Sequence, residues 1–317
     1  MEYPHEPVLV KEVVQDLVTR PDGIYVDGTC GSGGHSASIG QRLVKGGRLI
    51  CLDRDPDAIR QCRARLSFLG SRVSVVQANF AHIDAVLEEQ NVKGVSGVLL
   101  DLGLSSTQLE RSGRGFSFRR DEPLDMRMDP SQGVPAREWV NSLPEPELER
   151  IFREYGEERR ARAIARAIGR ARRLEPFTSA LQLADLIRSV VPRAHGPGAK
   201  DPATRSFQAL RIAVNGELEN LQAFLERIPS WISRGGRLVV IAYHSLEDRK
   251  VKQAFREWEK GCTCPPDFPV CTCGKVPLFR PLRRRALKPT EHEITKNPRA
   301  RSAAGPWVFG DLMLRGL

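Results

Sequence analysis

Short apolar runs alternate with amphipathic stretches over the first hundred residues. Residues 23–26, 48–52, 73–76 and 98–100 are apolar runs bounded by Gly, Asp or Asn, as in strands buried on both faces. Between them, 36–43, 56–69 and 83–90 space their apolar residues three and four apart, as helices do. This rhythm predicts a doubly wound, mostly parallel α/β sheet. The rhythm then breaks. Residues 105–135 are rich in Gly, Arg, Ser and Pro and read as a long loop, and 144–192 read as helices alone. Leu148, Ile151, Phe152 and Tyr155 form one apolar stripe, and Leu183, Leu186, Ile187 and Val190 another. A Gly/Pro/Lys-rich linker follows at 195–202. Phe207, Leu210, Val214, Leu218, Leu221, Leu225 and Ile228 then predict one long helix, ended by Gly235 and Gly236. Residues 238–243 return to strand character. The expected organisation is a sheet domain in two parts, 1–105 and 206–317, interrupted by a helical insertion at 106–205 that would recognise substrate.

Composition narrows the class. With 40% hydrophobic and 28% charged residues, the 317-residue chain is expected to fold into globular cores. Its net charge of +10 favours an acidic partner, either nucleic acid or a membrane surface. The excess is uneven. Residues 249–317 hold 15 Lys and Arg against 6 Asp and Glu, whereas residues 1–104 hold 11 against 13. No run of about 18 apolar residues exists, so no membrane span is expected. Residues 1–20 lack a signal-peptide pattern, and the 7 cysteines are an odd number, which together point to a reducing cytoplasm.

Candidate chemistry gathers at the predicted strand ends. The first strand runs into Asp27-Gly-Thr-Cys-Gly-Ser-Gly-Gly34, a Gly-rich turn of the kind that holds nucleotides. The second ends in Asp53, whose carboxylate can accept two ribose hydroxyls. The third leads to Phe80, where an aromatic can stack on adenine, and the fourth ends in Asp101. In open α/β sheets all these ends face one crevice. A dinucleotide could use the first two features. However, the spacing Gly31-x-Gly33-x-x-Ser36 lacks the third glycine, and an acid at Asp27 suits a cationic methionine group better than a pyrophosphate. The reading is therefore S-adenosylmethionine rather than NAD.

The motif Asp27-Gly-Thr-Cys-Gly-Ser-Gly-Gly-His-Ser36 resembles the cofactor loop of the RsmH (MraW) family, enzymes that methylate cytidine N4 in bacterial small-subunit ribosomal RNA. Other stretches resemble the same family in order. They are His5-Glu-Pro-Val-Leu9, Asp101-Leu-Gly-Leu-Ser-Ser-Thr-Gln108, Arg114-Gly-Phe-Ser-Phe118 with Pro123-Leu-Asp-Met-Arg-Met128, Phe207-Gln-Ala-Leu-Arg-Ile212 with Val214, Asn215, Glu217 and Leu218, Tyr243-His-Ser-Leu-Glu-Asp-Arg249, and Asn297-Pro-Arg-Ala-Arg-Ser302. The resemblance implies a class I methyltransferase sheet acting near the decoding centre of 16S RNA or the 30S particle. It also implies cofactor contacts at Gly33, Gly34, His35, Asp53, Phe80, Asp101 and Gln108. Two departures stand out. Glu122 replaces the family's usual Gly, and the tail after residue 303 leaves the family pattern.

The reaction makes modest demands. A sulfonium methyl is already electrophilic, whereas a cytosine amino group has its lone pair delocalised into the ring. Alignment and a hydrogen-bond acceptor supply most of the rate. Asp101 is the candidate catalytic acceptor, with the carbonyls of Leu102, Gly103 and Leu104 beside it. Phe116, Phe118, Tyr243 and His244 are candidates to stack on the base, although the two Phe residues serve equally well as a plug in the loop's own core. Arg159, Arg162, Arg166, Arg170 and Arg173, spaced 3, 4, 4 and 3, would share one helix face and suit phosphates, or simply form a solvated face. Arg280, Arg283, Arg284, Arg285 and Lys288 form a second basic cluster. His244, Glu247 and Asp248 imitate a metal or hydrolase cluster but fit packing and hydrogen bonding better. Cys262, Cys264, Cys271 and Cys273 form a C-x-C, six-residue gap, C-x-C array. Such an array can bind zinc, yet it departs from the usual C-x-x-C, so no metal is assigned. The alternatives are an amino methyltransferase acting on DNA or another RNA, a non-catalytic RNA-binding assembly factor, and an NAD oxidoreductase. Oligomeric state stays open between monomer and homodimer.

Overall fold

The computed structural model describes residues 7–111, 113–193, 196, 200–262, 264–265, 268–270, 272–273, 275–282, 287, 289–297 and 303–310. The chain divides into two compact units, residues 1–103 with 219–317, and residues 104–218.

The first unit opens with α1 (Val10–Leu17), which buries Val13, Val14 and Leu17. It continues through β1 (Ile24–Asp27), α2 (Gly34–Gly40), β2 (Arg48–Asp53), α3 (Pro56–Arg65), β3 (Val73–Gln77), α4 (Ile83–Glu89) and β4 (Val95–Asp101). The strands and helices expected here all form, with boundaries shifted by a few residues. Some helices start where the sequence supplies a side-chain cap. Asp55 accepts from the Asp57 N–H at the start of α3, with Pro56 in the first turn.

The second unit holds α5 (Ser106–Arg111), α6 (Ala136–Ser142), α7 (Glu145–Glu154), α8 (Ala161–Ala171), α9 (Ala180–Val190) and α10 (Thr204–Asn215). Its core includes Phe152, Ile164, Ile168, Leu183, Ile187 and Leu210. Each such buried side chain contributes roughly 1.5–3 kcal/mol. The segment expected to be one long loop contains α5. Its remainder is fixed by side-chain clamps. Arg114 donates to the Met128 carbonyl at 2.8 Å. The Asn215 side chain donates to the Met126 carbonyl and accepts from the Met128 N–H, both at 2.8 Å. These bonds hold Met126 at φ 61°, a conformation rare outside glycine. Glu122, the departure from the family pattern, accepts from the Gly115 N–H at 3.1 Å and so closes the same loop.

The chain returns through α11 (Glu217–Arg227), β5 (Ile232–Ala242), α12 (Ser245–Glu259), β6 (Arg280–Pro281), α13 (Glu291–Lys296) and β7 (Ala304–Gly310). The expected single long helix is two helices. Gly216, at φ 58°, caps α10 and breaks the run, a turn that apolar spacing cannot reveal. Gly235 and Gly236 end no helix either. They lie inside β5, where the pairing with β4 slips between Val95 and Gly97. The departing tail supplies β7.

The sheet order is β3-β2-β1-β4-β5-β7-β6. The first five strands are parallel, while β7 runs antiparallel to β5 and β6 antiparallel to β7. One face packs Val26, Ile50, Val98 and Val240 with α4, α11 and α12, and the other packs Tyr25, Leu49, Leu99 and Val239 with α1, α2 and α3. The order reverses at β1, whose neighbours are β2 and β4. The crevice at the carboxyl ends of these three strands is therefore where ligands enter such sheets. Among the described residues no helix is long and apolar enough to cross a membrane.

Candidate functional site

The Gly-rich loop after β1 is bound to both neighbouring strands. Gly28 N–H donates to the Leu99 carbonyl and Cys30 N–H to the Leu52 carbonyl, each at 2.9 Å. Gly31 and Gly33 take positive φ, 51° and 82°. Gly28 and Gly34 are small for a different reason. A Cβ at Gly28 would stand 2.6 Å from Leu100, and one at Gly34 would collide with the Pro7 ring. These two glycines thus let the loop approach its own protein, rather than a ligand as the sequence suggested.

Asp27 also differs from expectation. It faces inward, 1% exposed, and accepts from Ser36 Oγ at 2.5 Å. Burial pushes its carboxyl up to about 7. The Cys51 thiol, held well above its ordinary range by burial, donates to Ser36 Oγ at 3.3 Å. This chain of bonds fastens β2, α2 and β1 together. Asp27 is a buried fastener of the loop rather than an exposed acid at the mouth of the site.

Asp53 and Asp101 flank the loop from β2 and β4. Asp53 is half-buried, and its two oxygens accept from the Gly31 and Asp55 N–H groups, both at 2.9 Å. Burial lifts it to about 6. Each oxygen keeps a lone pair for a ribose hydroxyl. Asp101 donates its own N–H to Thr29 Oγ1 at 2.6 Å, and its Oδ1 accepts from the Tyr243 hydroxyl at 2.9 Å. Burial and the neighbouring Asp101 charge hold the Tyr243 phenol well above its ordinary range, so it keeps its proton and acts as the donor. The ring of Tyr243 also lies against Gly103, where a Cβ would sit 3.4 Å from Cδ2. Tyr243, a base-stacking candidate by sequence, has its hydroxyl hydrogen-bonded to Asp101.

His35, 5% exposed, places Nε2 3.5 Å from Asp101 Oδ2. Neither ring nitrogen has a hydrogen-bond partner among the described residues. A buried imidazole with free nitrogens is costly unless a bound group satisfies it. Phe80 is half-buried and stacks edge-on against Phe224, with ring centroids 5.7 Å apart. Asn79 caps its turn by accepting from the Ala81 N–H. Gly33, Gly34, His35, Asp53, Phe80 and Asp101 are thus brought to one set of strand ends. Gln108 belongs to the helical unit. There its Oε1 accepts from the Ser105 N–H at 2.9 Å and its own N–H donates to Ser105 Oγ at 3.2 Å. Sequence reasoning missed Thr29, Ser36 and Cys51, which act only through contacts between distant segments.

The remaining candidates sort by environment. Phe116 is buried in the helical core, and Phe118 stacks on Phe207 at 5.0 Å, so both plug the loop's own core. His244 caps α12 by accepting from the Glu247 N–H, while Glu247 accepts from the Tyr243 N–H at 2.9 Å, a helix-start arrangement. Arg162, Arg166 and Arg170 are exposed on α8, opposite buried Ile164, Ala165 and Ile168, and form no ion pair among the described residues. Arg159 and Arg173 lie just beyond the ends of that helix, and Arg173 stands 3.7 Å from Glu145. Arg283, Arg284, Arg285, Lys288, Cys271 and His5 lie outside the described residues.

The MraW methylase family model matches residues 2–307. The chain belongs to that family. Its cofactor is S-adenosylmethionine, and the residues present fit it. The site offers two half-buried carboxylates, an aromatic face at Phe80 and an imidazole whose nitrogens await partners. The chain is similar to the Ribosomal RNA small subunit methyltransferase H of Geobacter sp. (strain M21), 49% identical over 302 residues, which span 95% of this chain and 97% of that protein. It is 47% identical over 304 residues to the protein of that name from Heliobacterium modesticaldum (strain ATCC 51547 / Ice1), spanning 96% and 97%.

Proposed function

We propose that this methyltransferase acts on small-subunit ribosomal RNA and transfers the methyl group to the exocyclic N4 of a cytidine near the decoding centre. The observation that carries the reading is Asp101. Its carboxylate is 23% exposed at the end of β4 and held on one side by the Tyr243 hydroxyl. The bound S-adenosylmethionine supplies an electrophilic methyl on a cationic sulfur. Asp53 and Phe80 hold its nucleoside by hydrogen bonds and stacking, beside the loop that turns at Gly31 and Gly33. Asp101 accepts a hydrogen bond from the amino group of the base, which raises electron density on nitrogen and fixes its direction of attack. Oδ1 is engaged by Tyr243 and Oδ2 lies 3.5 Å from His35 Nε2, so the amino group meets Oδ2 beside the imidazole. The exposed arginines of α8 and the basic C-terminal segment bind phosphates and supply affinity without reading bases.

The test is to incubate the protein with methyl-labelled S-adenosylmethionine and small subunits from cells lacking the enzyme, then identify the labelled nucleoside. Label on cytidine N4 is the expected result. Label on another nucleoside, or only on duplex DNA, overturns the substrate. RNA binding indifferent to cofactor and to Asp101→Ala, with no label, makes the protein an assembly factor.

A further inference from the structure

The cysteines after α12 take no part in the site at the strand ends, and their spacing alone assigned them no metal. Their placement changes that reading. The chain leaves α12 at Glu259 and returns at Leu278 and Phe279, whose N–H groups donate to the Trp258 carbonyl at 2.8 and 3.4 Å. Among the described residues of the segment between, none is buried. Phe268 is 53% and Val270 69% exposed, so these apolar side chains do not anchor it.

Within this loop the sulfurs of Cys262, Cys264 and Cys273 all lie within 4.8 Å of one another. Cys262 and Cys273 are exposed and Cys264 half-buried, so burial of small apolar thiols is not what gathers them. The Cys262 and Cys273 sulfurs are 3.7 Å apart. A disulfide needs about 2.0 Å. A tetrahedral zinc with bonds of about 2.3 Å sets its sulfurs about 3.8 Å apart. The Cys264 N–H also donates to Cys262 Sγ at 3.4 Å, the kind of support that offsets charge on a metal-bound thiolate.

We propose that Cys262, Cys264 and Cys273 bind one Zn²⁺ that clasps this loop. Soft thiolates select zinc over magnesium or calcium. On binding, each of the three thiols exchanges its S–H bond for an S–Zn bond, so one Zn²⁺ enters and three protons leave, with no change in oxidation state.

The experiment uses the full chain, reduced and stripped of metal under anaerobic conditions, then titrated with Zn²⁺ alone and, separately, with Co²⁺ as a spectroscopic probe. One tightly held equivalent per chain is expected, with release of about three protons. Thiolate-to-cobalt charge-transfer bands and the visible bands of a tetrahedral site are expected with Co²⁺. The Cys264→Ser/Cys273→Ser double variant should bind neither metal yet keep its affinity for S-adenosylmethionine. Should that variant fail to fold, limited proteolysis of the wild-type chain decides instead, since Zn²⁺ should slow cleavage within 260–275 by about 10-fold. Three results overturn the proposal: no zinc retained by the reduced chain, equal retention by a folded double variant, or cleavage indifferent to Zn²⁺.

Discussion

The two units place their functional groups in opposite ways. In the α/β unit they are side chains at strand ends, and the two carboxylates are fixed by hydrogen bonds, Asp53 by the Gly31 and Asp55 N–H groups and Asp101 by the Tyr243 hydroxyl. In the helical unit, beside Gln108, the candidates are the long side chains of Arg162, Arg166 and Arg170 on the exposed face of α8, which make no ion pair among the described residues. Bond-forming chemistry needs placement to a fraction of an ångström, and a sheet edge provides it. Phosphate binding needs charge and reach, and a mobile guanidinium provides both. Changes in the first unit should therefore alter transfer or cofactor binding, and changes in the second RNA affinity.

The largest effect is expected at Asp101. Asp101→Ala should lower single-turnover methyl transfer by about 1000-fold, by loss of a fixed group facing developing charge. A rate near wild type would remove Asp101 from the chemistry and break the comparison at its strongest point. Asp53→Ala comes next. Loss of hydrogen bonds to a charged carboxylate should weaken S-adenosylmethionine by about 10- to 100-fold in calorimetry, with the rate at saturation nearly kept. Tyr243→Phe sharpens the picture, because it leaves Asp101 in place but frees its carboxylate to turn. We expect about a 10-fold fall in kcat with cofactor affinity unchanged, and an equal loss in both would make Tyr243 a merely structural residue.

Arg166→Glu tests the other unit. RNA affinity should fall by about 3- to 10-fold and its salt dependence should become shallower, with cofactor binding untouched. Equal affinity in a filter-binding titration would reduce the arginine face to solvated surface. The smallest effect concerns stability. Burial raises Asp27 from 3.8 to about 7, so the folded chain holds that proton more tightly than the unfolded chain. Its contribution to stability is full below about pH 4 and is lost as pH rises through about 7. Asp27→Asn removes this loss. The urea midpoint of the variant relative to wild type should rise between about pH 4 and pH 7 and then level off. A difference independent of pH would show that Asp27 is not the titrating group.

The amino-acid sequence determined the α/β core, the strand-end positions of Asp53, Phe80 and Asp101, and the buried and exposed faces of α8. These follow from periodicity and from glycine and aspartate placed next to apolar runs, all of which are local signals. Pattern failed where the backbone breaks a run without changing its polarity. Gly216 splits one apolar stripe into α10 and α11, and Gly235 and Gly236 sit inside β5 where the pairing slips. Only the tertiary structure decided the direction in which a side chain points. Asp27 looked like a ligand group and is a buried fastener, whereas Tyr243 looked like a stacking ring and is the hydrogen-bond partner of Asp101. The same holds for the cysteine loop, whose array could bind zinc by composition but whose odd spacing left open whether its sulfurs converge. A contact between residues 142 positions apart, such as Tyr243 with Asp101, has no local signature, because it exists only once β4 and β5 are paired.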